Sequence, residues 1–203
     1  TEVRVSPRAL ARRVAVVPQS MDTTFAFTIE ELVAMGRHPH LGRLQPQSAR
    51  DRDAIEEALV ETGLTGLRNR SITEVSGGER QMAVVARALA QQASVLLLDE
   101  PTSQLDLAHQ RDVMGLLVRL NRQRGTTMIM VSHDLNLAAA YSDTLAMLVE
   151  GRLQCLGRPA DVLTAETVVA AYKVEAHVAP HPITGQPYLY VLPAAEGRGE
   201  SAS

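Results

Sequence analysis

Three short apolar runs constrain the fold most strongly, because each has the length of a buried strand. They occupy residues 14–17, 95–98 and 127–131. Continuous hydrophobicity, rather than alternation, is typical of strands in a parallel sheet that helices cover on both faces. Helical patterns alternate with these runs after residue 80. The sequence therefore predicts an α/β fold with a mainly parallel sheet.

Polar side chains follow each of the three runs. Gln19 comes after the first, Asp99 and Glu100 after the second, and His133 after the third. Active sites of parallel sheets lie at the carboxyl ends of the strands. We therefore expect these residues to share one edge of the sheet.

Residues 21–75 carry helical patterns and no strand pattern. Thr28 is an expected N-cap with Glu31 three residues later, and a second helix is predicted from about residue 48 to 62, with Gly63 as its stop. This stretch predicts an all-helical subdomain.

The next helix is predicted to begin at Ser76-Gly77-Gly78-Glu79. Small residues at a helix start leave backbone N–H groups accessible, and the helix dipole favours an anion there. The alternative is an ordinary glycine-rich helix start.

Asp99 and Glu100 place two carboxylates at the tip of a buried strand. Asp99 is suited to hold Mg²⁺ through water, and Glu100 to polarise a water that attacks a phosphate. Taken alone, a charged strand end explains Asp99 and Glu100 equally well. For residues 103–106, which follow directly and end in Asp106, a turn that caps the next helix is the favoured interpretation when they are considered alone.

In this order and spacing the motifs resemble those of the ABC transporter ATPases. Gln19 matches the Q-loop, residues 75–79 the signature, residues 95–100 Walker B, residues 103–106 the D-loop and His133 the H-loop. Val75 and Glu79 stand where leucine and glutamine are more usual. Stretches at 35–42, 133–139 and 157–164 further resemble importers of ferric siderophores, haem and cobalamin.

The resemblance implies a P-loop NTPase (RecA-like) core with an inserted helical subdomain, and it implies ATP and Mg²⁺ as cofactors. It assigns catalysis to Glu100, His133 and Gln19, nucleotide contacts to Ser76, Gly77, Gly78, Glu79 and Asp106, and Mg²⁺ binding to Asp99 and Gln19. The implied domains are a core remnant (1–20), the helical subdomain (21–80), the main core (81–175) and a partly disordered tail (176–203).

The resemblance also implies partners. Two copies would sandwich two ATP molecules and bind polytopic permease subunits, and through them a substrate-binding protein, at the cytoplasmic face of the inner membrane. The chain would be the motor of an importer. Two alternatives stay open: a soluble ABC ATPase without a transport role, and a degenerate remnant that does not hydrolyse ATP.

A P-loop motif, Gly-x-x-x-x-Gly-Lys-Ser/Thr, is absent from the 203 residues, whose only lysine is Lys173. We therefore expect an N-terminal truncation. The chain alone should bind ATP weakly, should not hydrolyse it, and should leave an apolar surface of its sheet uncovered.

The composition excludes other classes of function. A net charge of −3 argues against nucleic-acid binding, and no apolar run reaches the roughly 20 residues that span a bilayer. The histidine pairs 38/40 and 177/181 are predicted to lie in a loop and a solvated tail rather than in metal sites. Residues 188–192 are a possible last strand.

Overall fold

The computed structural model describes residues 6–21, 25–42 and 45–192. The chain divides into two compact units, Thr1–Val131 and Ser132–Ser203. The predicted disorder of residues 193–203 lies outside the described residues, and the predicted domain boundaries stay predictions.

The first unit contains five helices and three strands in its described part. They are α1 (Pro7–Ala11), β1 (Val14–Val17), α2 (Ile29–Ala34), α3 (Ala49–Glu61), α4 (Gly77–Ala90), β2 (Val95–Asp99), α5 (Leu107–Arg124) and β3 (Thr127–Val131), with short 3₁₀ turns at Met35–Arg37 and Thr65–Leu67.

The strands form a parallel sheet in the order β1-β2-β3, which confirms the predicted α/β fold. One face is formed by buried side chains such as Ala15, Val17, Leu96 and Leu98. On the opposite face, the described side chains of Val16, Ile129 and Val131 are 50%, 56% and 58% exposed. The described part of the sheet therefore has an exposed apolar surface, as expected.

A second cluster of buried side chains joins α2, α3 and α4. Its members include Ile29, Leu32, Val33, Ile55, Ala58, Leu59, Ala83, Ala86 and Ala90. The helices begin where the sequence supplies caps, because Thr28, Ser48 and Ser76 each accept a backbone N–H and form a capping box with the residue three positions later. Residues 25–42 and 45–75 contain no named strand, as predicted.

A buried ion pair holds this helical part together. Arg37 is 1% exposed, and its Nε donates to Asp51 Oδ1 at 2.9 Å. Its Nη1 donates to the carbonyl of Ala90 at 2.7 Å, which ties the end of α4 to the start of α3. A charged side chain loses its hydrogen bonds to water when it is buried. The bonds from Arg37 to Asp51 and Ala90 replace them.

The second unit contains α6 (Leu135–Tyr141), β4 (Leu145–Val149), β5 (Arg152–Gly157), α7 (Pro159–Val162), α8 (Ala165–Tyr172), β6 (Ala176–Pro180) and β7 (Pro187–Val191). β4 and β5 form an antiparallel hairpin. Its turn residues Glu150 and Gly151 have φ of 48° and 76°, as a tight hairpin turn requires.

The C-terminal hairpin corrects one expectation. β6 and β7 pair antiparallel, so His177 lies in a strand opposite Tyr190 rather than in a solvated tail. Asn136 of α6 anchors β7 through its side-chain amide: Nδ2 donates to the carbonyl of Leu189 at 3.1 Å, and Oδ1 accepts the N–H of Leu189 at 2.7 Å.

Candidate functional site

Glu100 is fixed at the carboxyl edge of the sheet by its backbone. It has φ +44°, in the left-handed region that non-glycine residues seldom adopt. Its N–H donates to the carbonyl of Val131, the last residue of β3, at 3.0 Å. The N–H and hydroxyl of Ser103 both lie 3.2 Å from its carbonyl oxygen. The turn after β2 therefore holds this carboxylate in place.

Gln19 contacts Glu100 directly. Nε2 of Gln19 donates to Oε2 of Glu100 at 2.9 Å, although 81 positions separate them. Parallel pairing of β1 with β2 brings the two strand ends together. The expected meeting of these residues at one sheet edge is thus present in the first unit.

Asp99 is the last residue of β2 and is exposed. Within the described ranges no group of three or more histidine, cysteine or acidic side chains is arranged to hold a metal. The carboxylate of Asp99 is an oxygen ligand of the kind that Mg²⁺ prefers.

The start of α4 is open on one side. Ser76 and Gly77 are exposed while Gly78 is buried. A Cβ built on Gly77 would meet no atom of the described residues within 4 Å. The start of α4 is therefore accessible at Ser76 and Gly77, as an anion site at a helix N-terminus requires.

The carboxylate of Glu79 completes the capping box at the start of α4. Its Oε2 accepts the backbone N–H and the hydroxyl of Ser76, both at 2.8 Å. These bonds, the one from the N–H first, lower the pKa of the Glu79 carboxyl. The signature serine thus donates its hydroxyl to an ionised side chain of its own helix.

Asp106 is the N-cap of α5. Its Oδ1 accepts the backbone N–H of His109 at 2.9 Å and lies 2.8 Å from Nδ1 of the same residue. The N–H and then the imidazole of His109 lower the pKa of Asp106.

A cleft of about 140 Å³ joins four of the sequence motifs. Its lining includes Gln19, Gly77, Gln81, Glu100 and Ser103. Nε2 of Gln81 is buried and has no hydrogen-bond partner among the described residues.

His133 belongs to the second unit, where it is exposed between β3 and α6. It lies in a turn in which the N–H of Asp134 donates to the hydroxyl of Ser132 at 3.1 Å. Its predicted place beside Glu100 stays a prediction.

Sequence reasoning did not identify His109 or Gln81. His109 could have been noticed, because it is the third residue of the helix that Asp106 caps. No local feature of the sequence indicates that the side-chain nitrogen of Gln81 is buried.

None of the helices in the described part of the chain is both long and apolar enough to cross a membrane.

Comparison with known proteins identifies the family. The family model for ABC transporters matches residues 3–103. The ferric enterobactin transport ATP-binding protein FepC of Escherichia coli K12 is 38% identical over 185 residues, which are 91% of this chain and 68% of that protein. The cobalamin import ATP-binding protein BtuD of Halobacterium salinarum is 40% identical over 189 residues, 93% and 47% of the two chains.

Solved structures agree with these relatives. An inward-facing ABC transporter assigned to the metal-chelate type has a TM-score of 0.82 at 29% identity, covering 91% of this chain and 73% of that one. A dimeric ATP-binding cassette, MJ0796, with bound ADP and phosphate has a TM-score of 0.63 at 27% identity, covering 74% and 65% of the two chains. The chain therefore belongs to the family of ATP-binding ABC transporter ATPases.

Proposed function

We propose that this chain is the ATP-hydrolysing motor of an importer for a metal chelate of the siderophore, haem or cobalamin class. The observation that carries the proposal is the hydrogen bond between Gln19 and Glu100 at the sheet edge. Relatives named for ferric enterobactin and cobalamin import support the class of cargo.

Glu100 is proposed as the general base. Its carboxylate would accept a proton from the attacking water, while the Gln19 amide, already within 2.9 Å of it, would orient that water. Asp99 and Gln19 would hold Mg²⁺, which when bound would neutralise charge on the phosphates of ATP. His133 is proposed as a donor to the phosphate oxygens.

The signature and D-loop are proposed to act on the nucleotide of a second subunit. Ser76, Gly77 and Gly78, together with Glu79 and Asp106, would line the far side of that site. The exposure of Ser76 and Gly77 supports this role. Closure of the two subunits would then depend on the nucleotide binding the dimer more tightly than it binds the separate monomers.

The proposed partners are a second ATPase subunit, polytopic permease subunits and, through these, a substrate-binding protein. The proposed location is the cytoplasmic face of the inner membrane. Cargo is tested by expressing the subunit with candidate permeases and measuring uptake of radiolabelled ferric siderophore, haem and cobalamin.

The role of Glu100 is tested by Glu100→Gln. Because the 203 residues contain no P-loop motif, turnover is measured in a subunit that joins this chain to a P-loop segment, here called the P-loop-containing subunit. Loss of the base should slow hydrolysis about 10²- to 10⁴-fold and leave ATP-dependent dimers intact. Glu175→Gln, at an exposed carboxylate between α8 and β6, is the control. Turnover of Glu100→Gln within twofold of wild type would remove Glu100 from this role.

A further inference from the structure

The imidazole of His109 contacts two motifs at once. Its Nδ1 lies 2.8 Å from Oδ1 of Asp106 in the D-loop. Its ring also lies against the signature helix: a Cβ built on Gly78 would be 2.0 Å from Cδ2 of His109 and 2.5 Å from its Cγ and Nε2. One side chain therefore connects the start of α5 with the start of α4.

This contact gives the two signature glycines different reasons to lack a side chain. Gly77 faces open space among the described residues, whereas Gly78 is buried beneath the His109 ring. Any Cβ at Gly78 would overlap the ring or displace it. The His109 ring, rather than a ligand, occupies the space where a side chain at Gly78 would lie.

We infer that His109 is a positioning residue that fixes the D-loop carboxylate and the start of the signature helix relative to each other. The inference rests on the proposed function, in which both elements face a nucleotide held by the second subunit. Two loops that must meet one ligand together bind it more tightly when their spacing is set beforehand. His109 acts through Asp106 and Gly78 and does not itself touch the reacting atoms.

The capping of α5 can be separated from this role. Asp106 accepts the backbone N–H of His109 at 2.9 Å, and every substitution except proline keeps that bond. The side chain of His109 is 41% exposed, so its removal takes little from the core. Changes at His109 should therefore alter the positions of the loops more than the stability of the helix.

Three variants separate the two contacts. His109→Asn keeps a nitrogen donor near the Nδ1 position without the ring, His109→Phe keeps a ring without the donor, and His109→Ala lacks both. His38→Ala, at an exposed histidine of the same unit, is the matched control.

The principal readout is the ATP concentration that gives half-maximal dimerisation of the P-loop-containing subunit, with Glu100→Gln present to prevent hydrolysis. We expect His109→Ala to raise this concentration about three- to tenfold, and the Asn and Phe variants to fall between it and wild type. In the hydrolysing subunit, KM for ATP should rise more than kcat falls. The thermal midpoint should stay near that of wild type, which a purely structural role would not predict.

A second measurement uses this chain as it stands. Gly78→Ala should lower the thermal midpoint because the new methyl meets the His109 ring, and adding His109→Ala should restore much of the loss. Additive effects of the two substitutions would contradict the contact.

The outcomes distinguish the inference from the proposed function. If the subunit with wild-type His109 shows no ATP-dependent dimer, the proposed function fails. If it dimerises and His109→Ala requires the same ATP concentration, the inference fails while the function stands. A shift in His109→Ala and in none of the controls supports both.

Discussion

At the scale of residues, Glu79 combines two opposing effects at the start of α4. Its ionised carboxylate accepts two hydrogen bonds from Ser76 and interacts favourably with the helix dipole. The same negative charge stands beside amides that are proposed to receive an anionic phosphate. Glutamine, the more usual residue of the family signature, would keep an acceptor oxygen without this charge.

Glu79→Gln should therefore strengthen nucleotide-dependent closure. In the P-loop-containing subunit we expect the ATP concentration for half-maximal dimerisation to fall about threefold, and the free energy of unfolding to fall by about 0.3–1 kcal/mol as the dipole interaction is lost. Light scattering during ATP titration and urea denaturation measure the two effects. Glu175→Gln should change neither. A higher ATP requirement for Glu79→Gln would show that the charge assists binding.

At the scale of elements, the pair of Arg37 and Asp51 connects α3 and α4. Hydrogen bonds from the Ser48 hydroxyl and N–H, and then from Arg37, lower the pKa of Asp51 from 3.8 to about 2. A lowered folded-state pKa stabilises the fold above the unfolded-state pKa, and this contribution is lost as pH falls through the folded-state pKa. The window is therefore from about pH 4 down to about pH 2.

Asp51→Ala should lower the free energy of unfolding at pH 7 by about 3 kcal/mol, because it leaves the buried guanidinium without its carboxylate. The difference from wild type should shrink as pH falls from 4 towards 2. Urea denaturation at several pH values measures both. Asp112→Ala, which breaks an exposed pair with Arg111, should cost under about 0.5 kcal/mol. An equal cost of Asp51→Ala at pH 7 and at pH 2.5 would contradict the assignment.

The elements that sequence reasoning predicted best are those with a strong local signal. β3 has the predicted bounds because an apolar run defines it, and α3 lies within the predicted range of 48–62, which is followed by Gly63 at φ 71°. β6 was missed because prolines and histidines surround its few apolar residues, and only pairing with β7 orders it.

The contact of His109 with Gly78 was also missed, since it joins residues that only the tertiary fold brings together. Gln19 and Glu100 could be predicted because the parallel sheet places strand ends side by side.

At the scale of the whole molecule, the proposed function makes two copies of this chain share two sites. Gln19, Asp99 and Glu100 would serve the nucleotide of their own subunit, whereas the exposed start of α4 would serve that of the partner. A symmetric pair would then contain two equivalent sites. Each site would take its base from one subunit and its signature from the other.

Mixing two inactive variants tests this division most directly. In the P-loop-containing subunit, Ser76→Arg blocks the signature and Glu100→Gln removes the base, so each variant alone should hydrolyse ATP poorly. A mixed pair should contain one complete site, and equal mixing should restore about a quarter of the wild-type rate. Recovery of that size in a steady-state ATPase assay is the predicted result. No recovery on mixing, or wild-type turnover by Ser76→Arg alone, would contradict the sharing of sites between subunits.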